Sequence, residues 1–431
     1  SRPFADVLSS PVFRFRGFRV VSRTVPPPVH TTGADAAVER PPRQRYDGNP
    51  MIYLDNNATT QPAPEVVAAM LPYLTELYGN ASSVYRFGQR ARQAIDEARA
   101  QVAALIGCDD AELVFTAGGT ESINTALRGL LASRAPRKQV VTSTVEHSAV
   151  RELCKHLGRD GAEVVAVPVD ADGVLDMDEL ERVVGPDTAL VTIMWANNET
   201  GVLFPVERIA KLCKGRGVPF HCDATQAVGK VPIDLHTTPI DAMSFASHKF
   251  HGPKGVGGLF VRRGVRVRPL MIGGPQERSR RGGTENVPGI VGMGKAAELA
   301  QASLPKSAAI AKLRDRFEHG VIERIEDAQV IGGRAERVSN TSNIGFSRLE
   351  AEAILLLLSE ADLCASAGSA CSSGSLEPSP VLMAMGVDGR IAHGAVRFSL
   401  SRYTTEAEVD RALAILPPII TRLRAVLPVA V

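Results

Sequence analysis

PFHCDATQAVGK, residues 219–230, passes from an apolar run into a carboxylate, Asp223, and then into a turn. An acid at the end of so apolar a strand is costly unless it meets a positive charge or caps the backbone that follows. Six other segments share its grammar: ELVFTAG, QVVTSTVEH, AEVVAVPV, ALVTIMWANN, AMSFASHK and GVGGLFVRR. Helical patterns such as ESINTALRGLLASR, SAVRELCKHLG and ERIAKLCKGRG lie between them. Strands this apolar, joined by crossover helices, predict an α/β fold with a mainly parallel sheet covered on both faces. Ligands of such sheets gather at the carboxyl ends of the strands. Here the polar tails EH, NNET, DATQ and SHK stand at those ends, so one site built from several strand ends is expected.

The rest of the chain bounds the problem. With 49 basic and 47 acidic residues the net charge is +2, and no global field favours nucleic acid or an anionic membrane. No apolar run reaches the roughly 18 residues of a membrane span. Six cysteines are scattered without a CxxC pair, which suits a reducing compartment and packing roles better than disulfides or zinc. Residues 1–50 are Arg-rich and Pro-rich and fit a disordered extension better than a transit peptide. A cytoplasmic location is expected, or an organelle if that segment acts in targeting. A large domain is expected over residues 65–305. A smaller α+β domain would combine residues 51–64 with 306–431. No internal repeat is visible.

Several segments carry chemistry. Lys249 in FASHKFHGPKG follows a strand, where partial desolvation lowers a lysine pKa and suits it to Schiff-base formation; alone it could be a surface lysine. Asp223 could hold a protonated pyridine ring or simply cap a turn. Gly118, Gly119 and Thr120 precede a helix whose free N–H groups suit a phosphate, although Thr120 is also a good N-cap. His147 and Asn198 end two further strands and could be satisfied polar residues. Cys371 sits in SAGSACSSGSLEPS, residues 366–379, where Gly368, Gly374 and small side chains allow a loop to swing. GPKGVGG leads into a strand and not a helix, so it reads as a turn and not a nucleotide loop.

Together YLDNNATT, GGTESIN, VEHSAV, NNETG, DATQAVGK, SHKFHGPKG, RRGGTEN, AGSACSSGSLEPS and AVRFSLSRYTT resemble the class I cysteine desulfurases of the NifS and IscS type, from about Met51 to about Leu416. The resemblance implies fold type I of the pyridoxal phosphate enzymes, with a seven-stranded sheet, a homodimer, and L-cysteine as substrate. It implies that Lys249 carries pyridoxal 5′-phosphate, Asp223 faces the ring nitrogen, Gln226 and Asn198 approach the ring hydroxyl, and His147 stacks on the ring and moves protons. Gly119, Thr120, Ser247 and His248 would hold the phosphate, with Thr284 arriving from the second subunit. Asn198 and Arg397 would bind substrate, Arg397 through a bidentate grip on its carboxylate. Cys371 would take the substrate sulfur as a persulfide, release alanine, and pass the sulfur to an iron-sulfur scaffold or another acceptor protein. No intrinsic metal site is expected, only transient contact of Cys371 with an iron-sulfur cluster. Selenocysteine lyase activity and a catalytically silent sulfur-relay scaffold are the alternatives. Three positions depart from the pattern: Ala246 and Ser247 where serine precedes glycine or alanine, Tyr85 in place of histidine, and Ile123 in place of asparagine. The serine contact to phosphate is thereby put in question, and tuning of activity is expected from the other two.

Overall fold

The structure, a computed structural model, describes residues 45–46, 49–367 and 377–426. The expected extension is described only at the antiparallel pair Arg45–Tyr46 with Asn49–Pro50. Cys371 and its neighbours 368–376 lie outside the described residues.

Seven strands, β1 (Leu113–Thr116), β2 (Gln139–Ser143), β3 (Glu163–Val167), β4 (Thr188–Met194), β5 (Phe220–Asp223), β6 (Ala242–Ala246) and β7 (Gly257–Val261), form one sheet. Their order is β1-β7-β6-β5-β4-β2-β3, with β7 antiparallel to both neighbours and the other pairs parallel. Every residue of β4, β5, β6 and β7 is buried, as expected of strands covered on both faces. Helices α1 (Gly119–Ser133), α2 (Ser148–Arg159) and α3 (Val206–Arg216) are the crossovers. In α2 the buried set Val150, Leu153, Cys154 and Leu157 recurs at helical spacing and faces the sheet. Gly257 must lack a side chain, because a Cβ there would lie 2.7 Å from the backbone of Gly118. The turn that opens α1 therefore packs directly on β7.

A second sheet orders β8 (Ala328–Val330), β9 (Thr341–Phe346) and β10 (Ala395–Ser399) antiparallel. Its own apolar core includes Phe317, Phe346 and Phe398, each fully buried and contributing roughly 1.5–3 kcal/mol. Ile52–Tyr53 runs parallel to Leu363–Cys364, and Asp55 bridges to Ser399. The segment after Met51 thus pairs with strands from the far end of the chain. Of the cysteines, Cys108, Cys154, Cys213 and Cys222 are buried and reduced, and Cys364 is half-buried. Among the described residues no helix is long and apolar enough to cross a membrane.

Candidate active site

The ends of β2, β4, β5 and β6, the start of α1 and the strand β10 border one cavity of about 610 Å³. That size is within the roughly 300–1,000 Å³ of small-molecule sites.

Asp223 closes β5 with its side chain in the cavity wall, 4% exposed. Its Oδ1 accepts the Thr225 N–H at 3.0 Å, so the capping role and the cavity-facing role coexist in one carboxylate. Beneath it, His221 is enclosed between Thr192 and Ser244, and burial lowers its pKa to about 4, keeping it neutral. Lys249 follows β6 on a single turn, Ser247–Lys249. Its Nζ donates to the carbonyls of Asn57 at 2.6 Å and Ala58 at 2.9 Å.

His147 caps α2: its Nδ1 accepts the Ala149 N–H at 3.2 Å, which leaves Nε2 to carry the proton of the neutral ring. Burial lowers its pKa; Asp223 opposes the shift, and Lys249 adds to it. Asn198 gives its carbonyl to Arg397 Nη1 at 2.9 Å, while its Oδ1 is buried and has no partner among the described residues. Arg397, 2% exposed, also donates Nη2 to Asp55 at 2.8 Å, and its Nε is likewise unsatisfied among them. Both orphaned groups belong to cavity-lining residues, as a polar ligand requires.

At the other end, Gly119 and Thr120 start α1. The cap position is Gly118 and not Thr120, and among the described residues no side chain caps the helix, so the N–H groups of its first turn remain available to an anion. Glu121 in the same turn is paired with Arg281 at 2.9 Å, which offsets its negative charge. His248 borders this end with Nδ1 3.2 Å from Thr59 Oγ1; burial, then Lys249 and Lys254, lower its pKa to about 4.

Of the expected phosphate residues, Ser247 is placed differently. Ser247 is fully buried outside the cavity, with its Oγ filling the space beside Gly252. Alternation along the chain turns Ala246 into the cavity and Ser247 away from it, so the departure at these two positions leaves a methyl group where a hydroxyl was expected. Thr284 is exposed and does not line the cavity of its own chain. Ile123 is buried and borders the cavity, whereas Tyr85 is half exposed at a helix start. Gln226 lines the cavity, its Nε2 donating to the Asn57 carbonyl at 2.9 Å.

Several site residues carried no assigned role in the sequence. Asn57 and Ala58 present the carbonyls that receive Lys249, and Asp55 orients Arg397. Glu146 borders the cavity, 1% exposed, with Oε1 accepting from Ser143 and Met194. Glu199, also in the wall, accepts Ser379 Oγ at 2.5 Å, and burial raises its pKa. The only signal was their place beside quoted motif residues; the partners lie 180 residues away for Glu199 and 342 for Asp55.

The donor set matches a phosphorylated pyridine aldehyde: an amine to condense with the aldehyde, a carboxylate for the ring nitrogen, amides for an oxygen, and a helix start for the phosphate. Arg397 remains for the carboxylate of an amino acid. Among the described residues no group of three or more His, Cys, Asp or Glu is placed to hold a metal.

Comparison with known proteins agrees with this chemistry. The aminotransferase class-V family pattern matches residues 52–412. Cysteine desulfurase 2 of Trichormus variabilis is 54% identical over 378 residues, covering 88% of this chain and 95% of that protein. Cysteine desulfurase NifS of Azotobacter vinelandii is 50% identical over 379 residues, covering 88% and 94%. Among solved structures, a NifS-like protein superposes with a TM-score of 0.81 at 39% identity, covering 86% of this chain and all of that one. SspA, solved in complex with cysteine, gives 0.73 at 34% identity and covers 82% and 99%.

Proposed function

Because the chain belongs to the aminotransferase class-V family and its relatives there are cysteine desulfurases, we propose that its cavity converts L-cysteine to L-alanine and transfers the sulfur to Cys371. The observation that carries this is the convergence of Lys249, Asp223, His147, Gln226, Asn198, Arg397 and the start of α1 on one cavity. A site for a different amino-acid reaction would not need the thiol in SAGSACSSGSLEPS.

The residues that would hold pyridoxal 5′-phosphate are Lys249, Asp223, His147, Gln226, Asn198, His248, and the amides of Gly119 and Thr120. When bound, the cofactor supplies an electron sink for the carbanion left by loss of the Cα proton. Asp223 offers a fixed negative charge to the ring nitrogen. Arg397, held between Asp55 and the Asn198 carbonyl, would orient the substrate through its carboxylate. Lys249 Nζ, directed by two carbonyls, is the base that takes the Cα proton. His147, neutral and protonated on Nε2, can donate and recover a proton during release of alanine.

The Cys371 thiolate then attacks the substrate sulfur. A sulfur–sulfur bond forms as the substrate Cβ–S bond breaks, and the electron pair stays on the carbon that becomes the methyl group of alanine after protonation. The products are alanine and a Cys371 persulfide, and no external oxidant or reductant is consumed. In the same reading the enzyme is a homodimer in which Thr284 serves the phosphate of the other subunit. An iron-sulfur scaffold or another acceptor takes the sulfur. Residues 65–305 form the cofactor lobe, with residues 51–64 and 306–431 as the smaller lobe; the second apolar core draws only on the smaller lobe, which supports that division, while the larger core also takes in Ile331, Val381 and Leu382.

Purified protein with pyridoxal phosphate and L-cysteine should yield alanine, with one equivalent of persulfide per chain before any acceptor is added. Cys371→Ala should yield no persulfide. Unchanged sulfur transfer by that variant would overturn the role of Cys371, and absence of alanine formation by the wild type would overturn the function.

A further inference from the structure

Lys230 has no part in the reaction above, yet its amine is built into the site. Its Nζ donates to Gln226 Oε1 at 2.6 Å and to Asn57 Oδ1 at 2.9 Å. Backbone carbonyls show which end of each carboxamide is nitrogen and which is oxygen. Gln226 Nε2 faces the carbonyl of Asn57 at 2.9 Å, and Asn57 Nδ2 faces the carbonyl of Asn198 at 3.2 Å. A carbonyl only accepts, so each amide nitrogen must be the atom turned to it and each amide oxygen must be turned to Lys230. The Asn57 carbonyl that receives Gln226 is also the one that receives Lys249.

Among the described residues the hydrogen-bond partners of Lys230 are two neutral amides, and neither balances a charge. The residue keeps partial exposure, but its amine is enclosed: burial, then Lys249 and Arg397, push its pKa well below the ordinary lysine value. We propose that Lys230 is a positioning residue. By holding the oxygen of the Gln226 carboxamide, it turns the remaining N–H of that group towards the cofactor's ring hydroxyl. By holding Asn57, it steadies the carbonyl that directs Lys249. This role rests on the cofactor reading above.

The test is a spectrophotometric pH titration of the cofactor band in the holoenzyme, without substrate, for wild type, Lys230→Met, Gln226→Ala and the double variant. Loss of a donor to an anionic oxygen makes that oxygen more basic. Lys230→Met should therefore raise the titration midpoint by about one to two units, the size of a hydrogen bond to a charged group. Lys230→Arg, which keeps donors, should fall closer to wild type. In the Gln226→Ala background, Lys230→Met should add nothing, because the group through which it acts is gone. If Lys230→Met does not fold, Lys230→Gln takes its place in the same cycle, since its shorter chain cannot hold both oxygens.

An unchanged midpoint in the single variant, or an equal rise in both backgrounds, overturns the proposal; the second result would mean that Lys230 acts by charge alone. A wild type that shows no cofactor band overturns the cofactor reading and this proposal together. A normal wild type with an unaltered Lys230→Met overturns this proposal only.

Discussion

Glu146→Gln should change how stability depends on pH. The carboxyl is 1% exposed; its Oε1 accepts Ser143 Oγ at 2.6 Å and the Met194 N–H at 3.0 Å, and its Oε2 has no partner among the described residues. Burial raises its pKa from 4.5 to about 8, against the hydrogen bonds from Ser143 and Met194, with a further upward push from Asp223. The folded chain therefore keeps a proton that the unfolded chain releases from about pH 4.5 upward. Stability from this group is greatest below pH 4.5 and is lost as pH rises towards 8, by about 1.4 kcal/mol per unit and on the order of 5 kcal/mol in all. Glutamine keeps the Oε1 acceptor and cannot ionise. Its unpartnered N–H groups cost roughly 1–3 kcal/mol at every pH. The slope is thus the signal: between about pH 5.5 and 7.5 the variant should gain roughly 3 kcal/mol on the wild type. Urea unfolding of both cofactor-free chains at matched pH measures this, and titrations shared by the two chains cancel in the difference. The carbonyl stretch of a protonated carboxyl in the infrared difference spectrum, present at neutral pH only in wild type, gives a second readout. A stability difference that stays constant with pH would refute the buried, protonated Glu146.

Ala246→Ser should place a hydroxyl in the cavity wall and tighten cofactor binding by about 1 kcal/mol, roughly fivefold, in a fluorescence titration of apoenzyme. Ser247→Ala, which removes a buried hydroxyl with no partner among the described residues, should leave that affinity unchanged. Arg397→Lys should lose the planar double contact and lower kcat/KM for cysteine about 10- to 100-fold, mostly through KM, with steady-state kinetics as the check. Asp223→Asn removes the charge that holds the His147 pKa up, so the His147 titration followed by NMR should move further down. An upward movement would contradict the placement of these two groups.

Much of this was legible because the chemistry sits at strand ends. The apolar runs that end in Asp223, His147, Asn198 and Lys249 set their own period and burial, and a parallel sheet then brings those ends to one edge whatever the loops do. Ser247 is the instructive exception. The two adjacent positions exchange faces of the chain, so inverting their order moves the hydroxyl from the cavity to the space beside Gly252. Motif content alone does not reveal which face is which.

The local pattern of residues determined the fold class, the strand-end site and the candidate groups on it, since each depends on neighbours within one element. Tertiary structure alone decided how these groups are held. Asp55 meets Arg397 across 342 residues, Asn57 joins Lys249 to Gln226, and Ser379 meets Glu199 across 180 residues. Hydrogen bonds of that reach are made where the segment after Met51, β10 and Ser379 meet the strand-end loops of the larger sheet, and no periodicity along the chain encodes them.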